Sequence, residues 1–385
     1  MDFSYPAEVE QFRAALRGWL GANLTDAVVA AGRRHDPDTA TFETLRAWNH
    51  TMADAGWAAV SWPLEYGGRG ATPLEQLVYS EETIRNRVPL PLNVIGMNNI
   101  APAIMQYGTE FQKRTLLPRM MRADDIWCQG MSEPEAGSDL ASLRTRAVRD
   151  GAHFVVTGQK IWTSLAHRAD WCQLYVRTDP EAPRHRGISC LLVDMTLPGV
   201  EARPLVTLNG EANFAEVFFN DVRVPADCML GPLNGGWAVA TTTLSHERSG
   251  AANLYTGLQM RLEQLAADLA DNGVDGRAAL EDTATLRRLG EIAVRIKYLE
   301  VLCQRSVSAT LHGKDASGSS SLAKTVWGEV GQDLAACAFD TLGTLDTASR
   351  WADYRLTTRS LTIAGGTTQI NKNIIAQRIL GMPRR

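Results

Sequence analysis

The chain has 385 residues, of which 45% are hydrophobic and 21% charged, and a formal net charge of −4. That length suits two or three domains around a large core, and the composition is that of an ordinary soluble globular enzyme. The slight acidity argues against nucleic acid or a membrane surface as partner, so an anionic ligand needs a local basic site.

The N-terminal text MDFSYPAEVEQF is acidic and lacks the basic-then-apolar order of a signal peptide. From Phe3 to about Arg122 the pattern is helical. Val9, Phe12, Leu16, Trp19 and Leu20 recur at three- and four-residue spacing behind Ser4 and Pro6 as start signals. A loop rich in glycine and proline, Ser61 to Pro73, precedes a second helical run with Leu74, Leu77, Glu81 and Ile84. The long uncharged run Val88 to Thr109 carries three prolines and three asparagines, which excludes a membrane span.

After Trp127 the period changes. Phe154 to Val156, Cys172 to Arg177, Gly187 to Asp194 and Ala215 to Val224 are short, rich in β-branched and aromatic residues, and broken by Gly, Pro and Asp. They predict a compact antiparallel β domain over about residues 123–230. The helical period then returns. One long helix is expected from about Gly235 to Asp271, and another carries Leu286, Leu289, Ile292, Ile296 and Leu299. Gly313 to Ser321 reads as a loop between helices, and a last helix with Ile370, Ile374, Ile375 and Ile379 ends at Gly381 and Pro383. The expected architecture is α+β: an N-terminal helical domain (1–122), a β-barrel-like middle domain (123–230) and a C-terminal four-helix bundle (231–385). No repeat and no strand followed by GxGxxG is found, which argues against a Rossmann nucleotide site. Six scattered cysteines without a CxxC pair suit reduced thiols in a cytoplasm and point away from a metal site or disulfide framework.

Two stretches concentrate polar chemistry. Cys128 to Asp139, CQGMSEPEAGSD, is punctuated by proline and glycine and presents hydroxyls at Ser132 and Ser138. Gly158 to Ser164, GQKIWTS, places the indole of Trp162 beside Thr163 and Ser164, suited to covering a flat ring while a hydroxyl reaches its edge. Each also has a plain reading, as a connecting loop and as a core tryptophan.

These stretches resemble the acyl-CoA dehydrogenase family, and the resemblance runs nearly end to end. SEPEAGSD is similar to that family's flavin loop and GQKIWTS to its flavin-stacking strand. VRVPADCMLGPLNGGW, from Val222, resembles its passage from β domain to bundle, and TIAGGTTQINKNIIAQRILG, from Thr362, its C-terminal flavin and active-site helix. The resemblance implies FAD as cofactor, with Gln129, Met131 and Ser132 lining the flavin ring, Trp162 against it and Ser164 bonding the nitrogen that receives hydride. Thr367 and Gln369 match C-terminal FAD contacts. Ser138 matches a position near the pantetheine, and Arg248 one near the CoA moiety. It further implies an acyl-CoA substrate, electron-transfer flavoprotein or a similar acceptor, and a tetramer.

The implied reaction is α,β-dehydrogenation of an acyl-CoA thioester to the trans-2-enoyl-CoA. It needs a carboxylate base raised in pKa by a dry pocket, and hydrogen bonds for the enolate-like oxygen. Most family members carry that base immediately before the Gly-Thr of the C-terminal motif, where this chain has Gly365. A minority carries it in a Glu-Arg pair on the first long bundle helix, and this chain has Glu247-Arg248 there. Leu244, Glu247, Ala251, Leu254 and Leu258 share one face of the expected helix, which places Glu247 mid-stripe among apolar residues. Glu247 is therefore the expected base. Gly365 retains an N–H for the thioester oxygen, His246 reads as structural, and Glu133 and Asp139 read as loop-fixing carboxylates. Gly250, Ala251 and Ala252 leave room for a bulky or branched acyl group.

Other elements depart from the family. Its Arg-x-x-Phe has only Arg277 with Leu280, its Gln-x-x-Gly-Gly-x-Gly is hardly present in Cys337 to Ser349, and its following Arg-Asp reads Leu356-Thr357. Those elements serve FAD across a subunit interface, so a heterotetramer with a second family chain is expected beside the homotetramer. An acyl-CoA oxidase and a flavin-poor partner subunit remain as alternatives.

Overall fold

A computed structural model of the chain describes residues 4–33, 38–249, 253–271, 279–314, 316–342 and 350–383, with the side chains of 246–249, 271, 279 and 317 outside that description. The chain forms two compact units, one of Met1–Asn23, Thr72–Val88 and Arg248–Arg385, the other of Leu24–Ala71 and Pro89–Glu247.

The first unit is helical. Helix α1 spans Ala7–Asn23. The second unit contributes α2 (Asp26–Ala31) and α3 (Thr39–Asp54) before the chain returns with α4 (Pro73–Arg85). A reciprocal cap starts α4: Thr72 Oγ1 accepts from Glu75 N, Glu75 Oε2 accepts from Thr72 N at 2.7 Å, and Pro73 opens the first turn. Buried Glu82 of α4 takes a bidentate guanidinium from Arg17 of α1 at 2.7 and 2.8 Å, which fixes how these two helices lie together.

The rest of this unit is α8 (Tyr255–Asp271), α9 (Thr283–Leu311), α10 (Ser317–Leu342), α11 (Arg350–Thr357) and α12 (Thr368–Arg378). The stripe expected on α9 is buried at Leu289, Ile292, Ile296 and Leu299, against Leu258, Leu265, Val330 and Leu334. The loop expected at Gly313 to Ser321 is shorter, because the serines from Ser317 onward already form the first turn of α10.

The second unit adds α5 (Ala101–Tyr107) and α6 (Glu110–Arg122), followed by a seven-stranded sheet and α7 (Gly236–Ser249). The strands are β1 (Trp127–Gly130), β2 (Arg146–Asp150), β3 (His153–Ser164), β4 (Trp171–Arg177), β5 (Ile188–Asp194), β6 (Val200–Leu205) and β7 (Phe214–Pro225). Their order is β1-β4-β2-β3-β7-β6, with β5 on β4. Most pairings are antiparallel as expected, but β1 and β2 both pair parallel with β4. Strands β4 and β5 are buried along almost their whole length, which explains their largely apolar text.

Three strands escape the sequence pattern. β1 is short and carries Gln129, β2 reads RAVRD with only Ala147 buried, and β6 has no buried residue and holds Pro204. In β2 and β6, charge and proline suit lightly covered strands but erase the alternation that announces one, while β1, though buried, is too short to show it.

The helix expected from Gly235 to Asp271 is two helices. α7 ends at Ser249, and α8 starts behind a new cap in which Asn253 Oδ1 accepts from Thr256 Oγ1 at 2.7 Å and Thr256 N at 3.3 Å. The face drawn from Leu244 through Glu247 to Leu258 is thus not continuous. A capping side chain that satisfies the free N–H groups of α8 favours a fresh helix start over continued winding.

Candidate active site

The site is built from the two polar stretches, which the sheet brings together. Strand β1 delivers Gln129, the chain leaves the ladder at Met131, and Ser132 O then accepts from Ile161 N of β3 at 2.9 Å. Beneath that contact lies a buried ion pair. Lys160 of β3 has no exposed surface, and its Nζ donates to Glu133 Oε1 at 2.8 Å and to Met131 O at 3.1 Å. Glu133 also accepts from Arg144 N at 2.6 Å and Thr145 N at 2.9 Å.

Burial pushes the Glu133 carboxyl up, but the Lys160 charge and the bonds from Lys160, Thr145 and Arg144 outweigh it and hold the pKa below its ordinary value. Burial draws the Lys160 ammonium down, and Glu133 opposes that shift. Glu133 fixes the loop, as its sequence suggests. Asp139 does so more weakly, through an exposed pair with Arg184 at 2.6 Å.

Glycines permit the close fit around this pair. A Cβ at Gly158 would lie 2.6 Å from Thr145 Oγ1 and 2.7 Å from its Cα, so only glycine lets β3 pass the segment before β2 whose N–H groups bond Glu133. The pairing of β3 with β7 slips twice, between Val156 and Gly158 and between Lys160 and Thr163. Lys160 is inside on the same alternation as Phe154 and Val156, and the second irregularity then turns Thr163 inside and leaves Trp162 outside.

Trp162 has φ +58, in the left-handed region, and is 58% exposed. Its indole meets Phe214 edge-on, with centroids 5.9 Å apart at 80°. A large residue held in that conformation costs of order 1–3 kcal/mol and persists only where the surroundings impose it. Half-buried Ser132 and Ser164 flank the region, and among the described residues their hydroxyls make no hydrogen bond. An exposed indole between unbonded hydroxyls fits a flat aromatic ring with polar edges. Cys128, where the first stretch begins, is no nucleophile: a hydrogen bond with Cys172 and burial hold its thiol protonated.

The remaining expected residues are placed as follows. Gln129 and Met131 are half-buried and Ser138 is exposed. In the helical unit, Thr367 caps α12, its Oγ1 accepting from Ile370 N at 3.2 Å, and Gln369 is exposed in the first turn. Gly365 and Gly366 precede them with φ +65 and +92. Buried Asn371 donates to Gly366 O at 2.9 Å and Thr367 O at 3.1 Å and holds that turn. Glu247 and Arg248 lie in the last turn of α7, with side chains outside the description. Arg277, residues 250–252 and residues 343–349 lie outside the described residues altogether.

Sequence reasoning missed Lys160. Its signal was a lone cation on the inward alternation of Phe154 and Val156, passed over because a lysine is by default a surface residue. It also missed Gln173, Tyr175 and Thr243, whose exposure is 0% and whose hydrogen bonds join across the sheet to α7.

Helices, a sheet domain and helices again, with an exposed strained tryptophan beside a glutamate-fixed loop, are what the chain presents at this site. Models of the acyl-CoA dehydrogenase N-terminal, middle and C-terminal domains match residues 6–124, 128–222 and 234–380, and the chain belongs to that family. It is an acyl-CoA dehydrogenase, an oxidoreductase whose cofactor is FAD.

Among its relatives is acyl-CoA dehydrogenase IpdE1 of Mycobacterium tuberculosis, 38% identical over 98% of this chain and 98% of the relative. FadE34 of the same organism is 40% identical over 97% of this chain and 51% of its own. The solved Tcur3481-Tcur3483 steroid ACAD is 32% identical with a TM-score of 0.87, covering all of both chains. The ChsE4-ChsE5 complex from Mycobacterium tuberculosis is 30% identical with a TM-score of 0.82, again covering all of both. Among the described residues no helix is long and apolar enough to cross a membrane, and no cluster of metal-ligating side chains occurs.

Proposed function

We propose that this chain converts an acyl-CoA thioester to its trans-2-enoyl-CoA with Glu247 as the base that removes the α-proton. The observation that carries this reading is Gly365. The common site of the family's base holds no carboxylate here, and its backbone has φ +65, where a side chain is disfavoured. Glu247 is the available carboxylate in the alternative position, one helical turn beyond buried Thr243 on α7.

In this reading Trp162 lies against the flavin, Ser164, Ser132, Gln129 and Met131 line it, and Thr367 and Gln369 hold it from the C-terminal helix. When bound, FAD supplies the hydride acceptor, and the protein supplies position and electrostatics. Gly365 N–H donates to the thioester oxygen, which stabilises the enolate-like charge as the proton leaves. Ser138 and Arg248 contact the pantetheine and CoA portions. Closing the site around the thioester removes water from Glu247 and raises its pKa toward working pH.

Changing Glu247 to Gln tests the assignment. A folded, yellow protein without turnover is expected, and near-normal activity would move the base elsewhere.

The substrate we propose is a ring-bearing acyl-CoA, because a relative of 32% identity over the whole chain is named a steroid ACAD. A panel of straight, branched and steroid-bearing CoA thioesters, assayed with and without oxygen and an acceptor dye, separates this from a straight-chain dehydrogenase and from an oxidase. We further propose a heteromeric assembly, supported by the two-component names Tcur3481-Tcur3483 and ChsE4-ChsE5 among the relatives and by Leu280 and Leu356-Thr357 in place of the family's diphosphate contacts. A stable homotetramer of the chain alone, with one FAD per chain, would rule that out.

A further inference from the structure

Polar side chains form a continuous buried chain between the sheet and α7. Gln129 Nε2 on β1 donates to Gln173 Oε1 on β4 at 3.3 Å, and Gln173 Nε2 donates to Thr243 Oγ1 on α7 at 3.3 Å. The Tyr175 hydroxyl, also on β4, lies 3.1 Å from the same Thr243 oxygen. Gln173, Tyr175 and Thr243 have no exposed surface, while their neighbours Cys172, Leu174 and Val176 are apolar. Buried amides and hydroxyls are costly unless each finds its partner, so the set is satisfied in one arrangement of α7 and not in others.

A second clamp acts at the start of the helix. A Cβ at Gly236 would lie 2.5 Å from the Ser189 carbonyl carbon, so α7 begins in direct contact with the β5 backbone. Two fixed points, Gly236 and Thr243, define the axis and rotation of the helix. Position 247 follows one turn later, and each residue of slip would turn it by about 100° and move it by about 1.5 Å.

We propose that Gln173 and Tyr175, acting through Thr243, are positioning residues that set the rotation of α7 and thereby present position 247 for proton abstraction, in register with the flavin platform at Gln129. This rests on the reading of Glu247 as the base. A displacement of about 1 Å at a reacting group can cost up to roughly 100-fold in rate.

Thr243→Val keeps the shape and removes the shared hydroxyl. The experiment uses the FAD-loaded full-length protein with a steroid-bearing CoA thioester and octanoyl-CoA as probes. It reads α-proton exchange in heavy water by mass spectrometry, together with kcat, KM and thermal unfolding. Thr243→Val is expected to slow α-proton exchange and kcat by about ten-fold or more at a temperature where it remains folded, with KM within about three-fold. Thr243→Ser recovers most of that loss.

A merely structural role would lower the unfolding temperature and leave exchange at the wild-type rate, and that result overturns the proposal. If Thr243→Val does not fold, Gln173→Met is judged by the same criteria. Loss of exchange in Glu247→Gln with normal exchange in Thr243→Val overturns this inference alone. Full exchange in Glu247→Gln overturns the base assignment itself.

Discussion

Lys160→Met tests whether the buried ion pair holds the proposed flavin platform together. Methionine keeps the length and apolar stem of the lysine and removes only the charge and its donors. The variant leaves the Glu133 carboxylate, 8% exposed, without its 2.8 Å partner, and leaves Met131 O without its 3.1 Å donor. Breaking a buried pair by deleting one partner costs about 3–5 kcal/mol. Glu133 keeps two backbone donors, Arg144 N and Thr145 N, so the lower end of that range applies, about 3 kcal/mol.

For a unit of this size that is a fall of roughly 6–12 °C in unfolding temperature. Adding Glu133→Gln removes the stranded charge and should recover about 1–2 kcal/mol, not all of it, because a glutamine amide nitrogen must then face one of the two backbone N–H groups. Circular dichroism follows unfolding, and flavin absorbance follows FAD content, which should fall with it because Lys160 is two residues from Trp162. A loss under about 1 kcal/mol for Lys160→Met, or a double variant less stable than the single, would refute the argument.

Two further outcomes follow from the same geometry. The folded pKa of Glu133 is depressed, so its stabilisation is complete above the ordinary carboxylate range of about 4 and is lost as pH falls through the lower folded value. Acid unfolding should therefore be steeper in the wild type than in Glu133→Gln, and equal slopes from parallel acid titrations would count against it. Trp162→Gly should release about 1 kcal/mol of left-handed backbone cost and lose a similar amount of edge contact with Phe214, leaving apoprotein stability within about 1 kcal/mol. FAD retention should nevertheless drop, measured by absorbance after gel filtration, and unchanged retention would remove Trp162 from the flavin site.

The two polar stretches and the departure at Gly365 were legible because they are local in sequence. Family motifs and a missing carboxylate need no three-dimensional context. Strands β3, β4, β5 and β7 announced themselves through β-branched and aromatic runs, whereas β1, β2 and β6 did not, since their charged, polar or proline-bearing text lacks alternation. The break between α7 and α8 was invisible to periodicity: the apolar spacing continues past it, and only the Asn253 cap marks it.

By itself the sequence determined the order of helices, sheet and helices, the FAD-dependent family and the candidate carboxylate. Tertiary structure decided the inner assignments. The loop fold placed Glu133 against inward-facing Lys160, and irregular pairing after Lys160 left Trp162 outward in a strained conformation. Pairing of β4 with β1 and the packing of α7 brought Gln173, Tyr175 and Thr243 together from positions 70 and 68 residues apart in the chain. Such contacts are set by register and burial, which depend on the whole sheet and are written in no single stretch of residues.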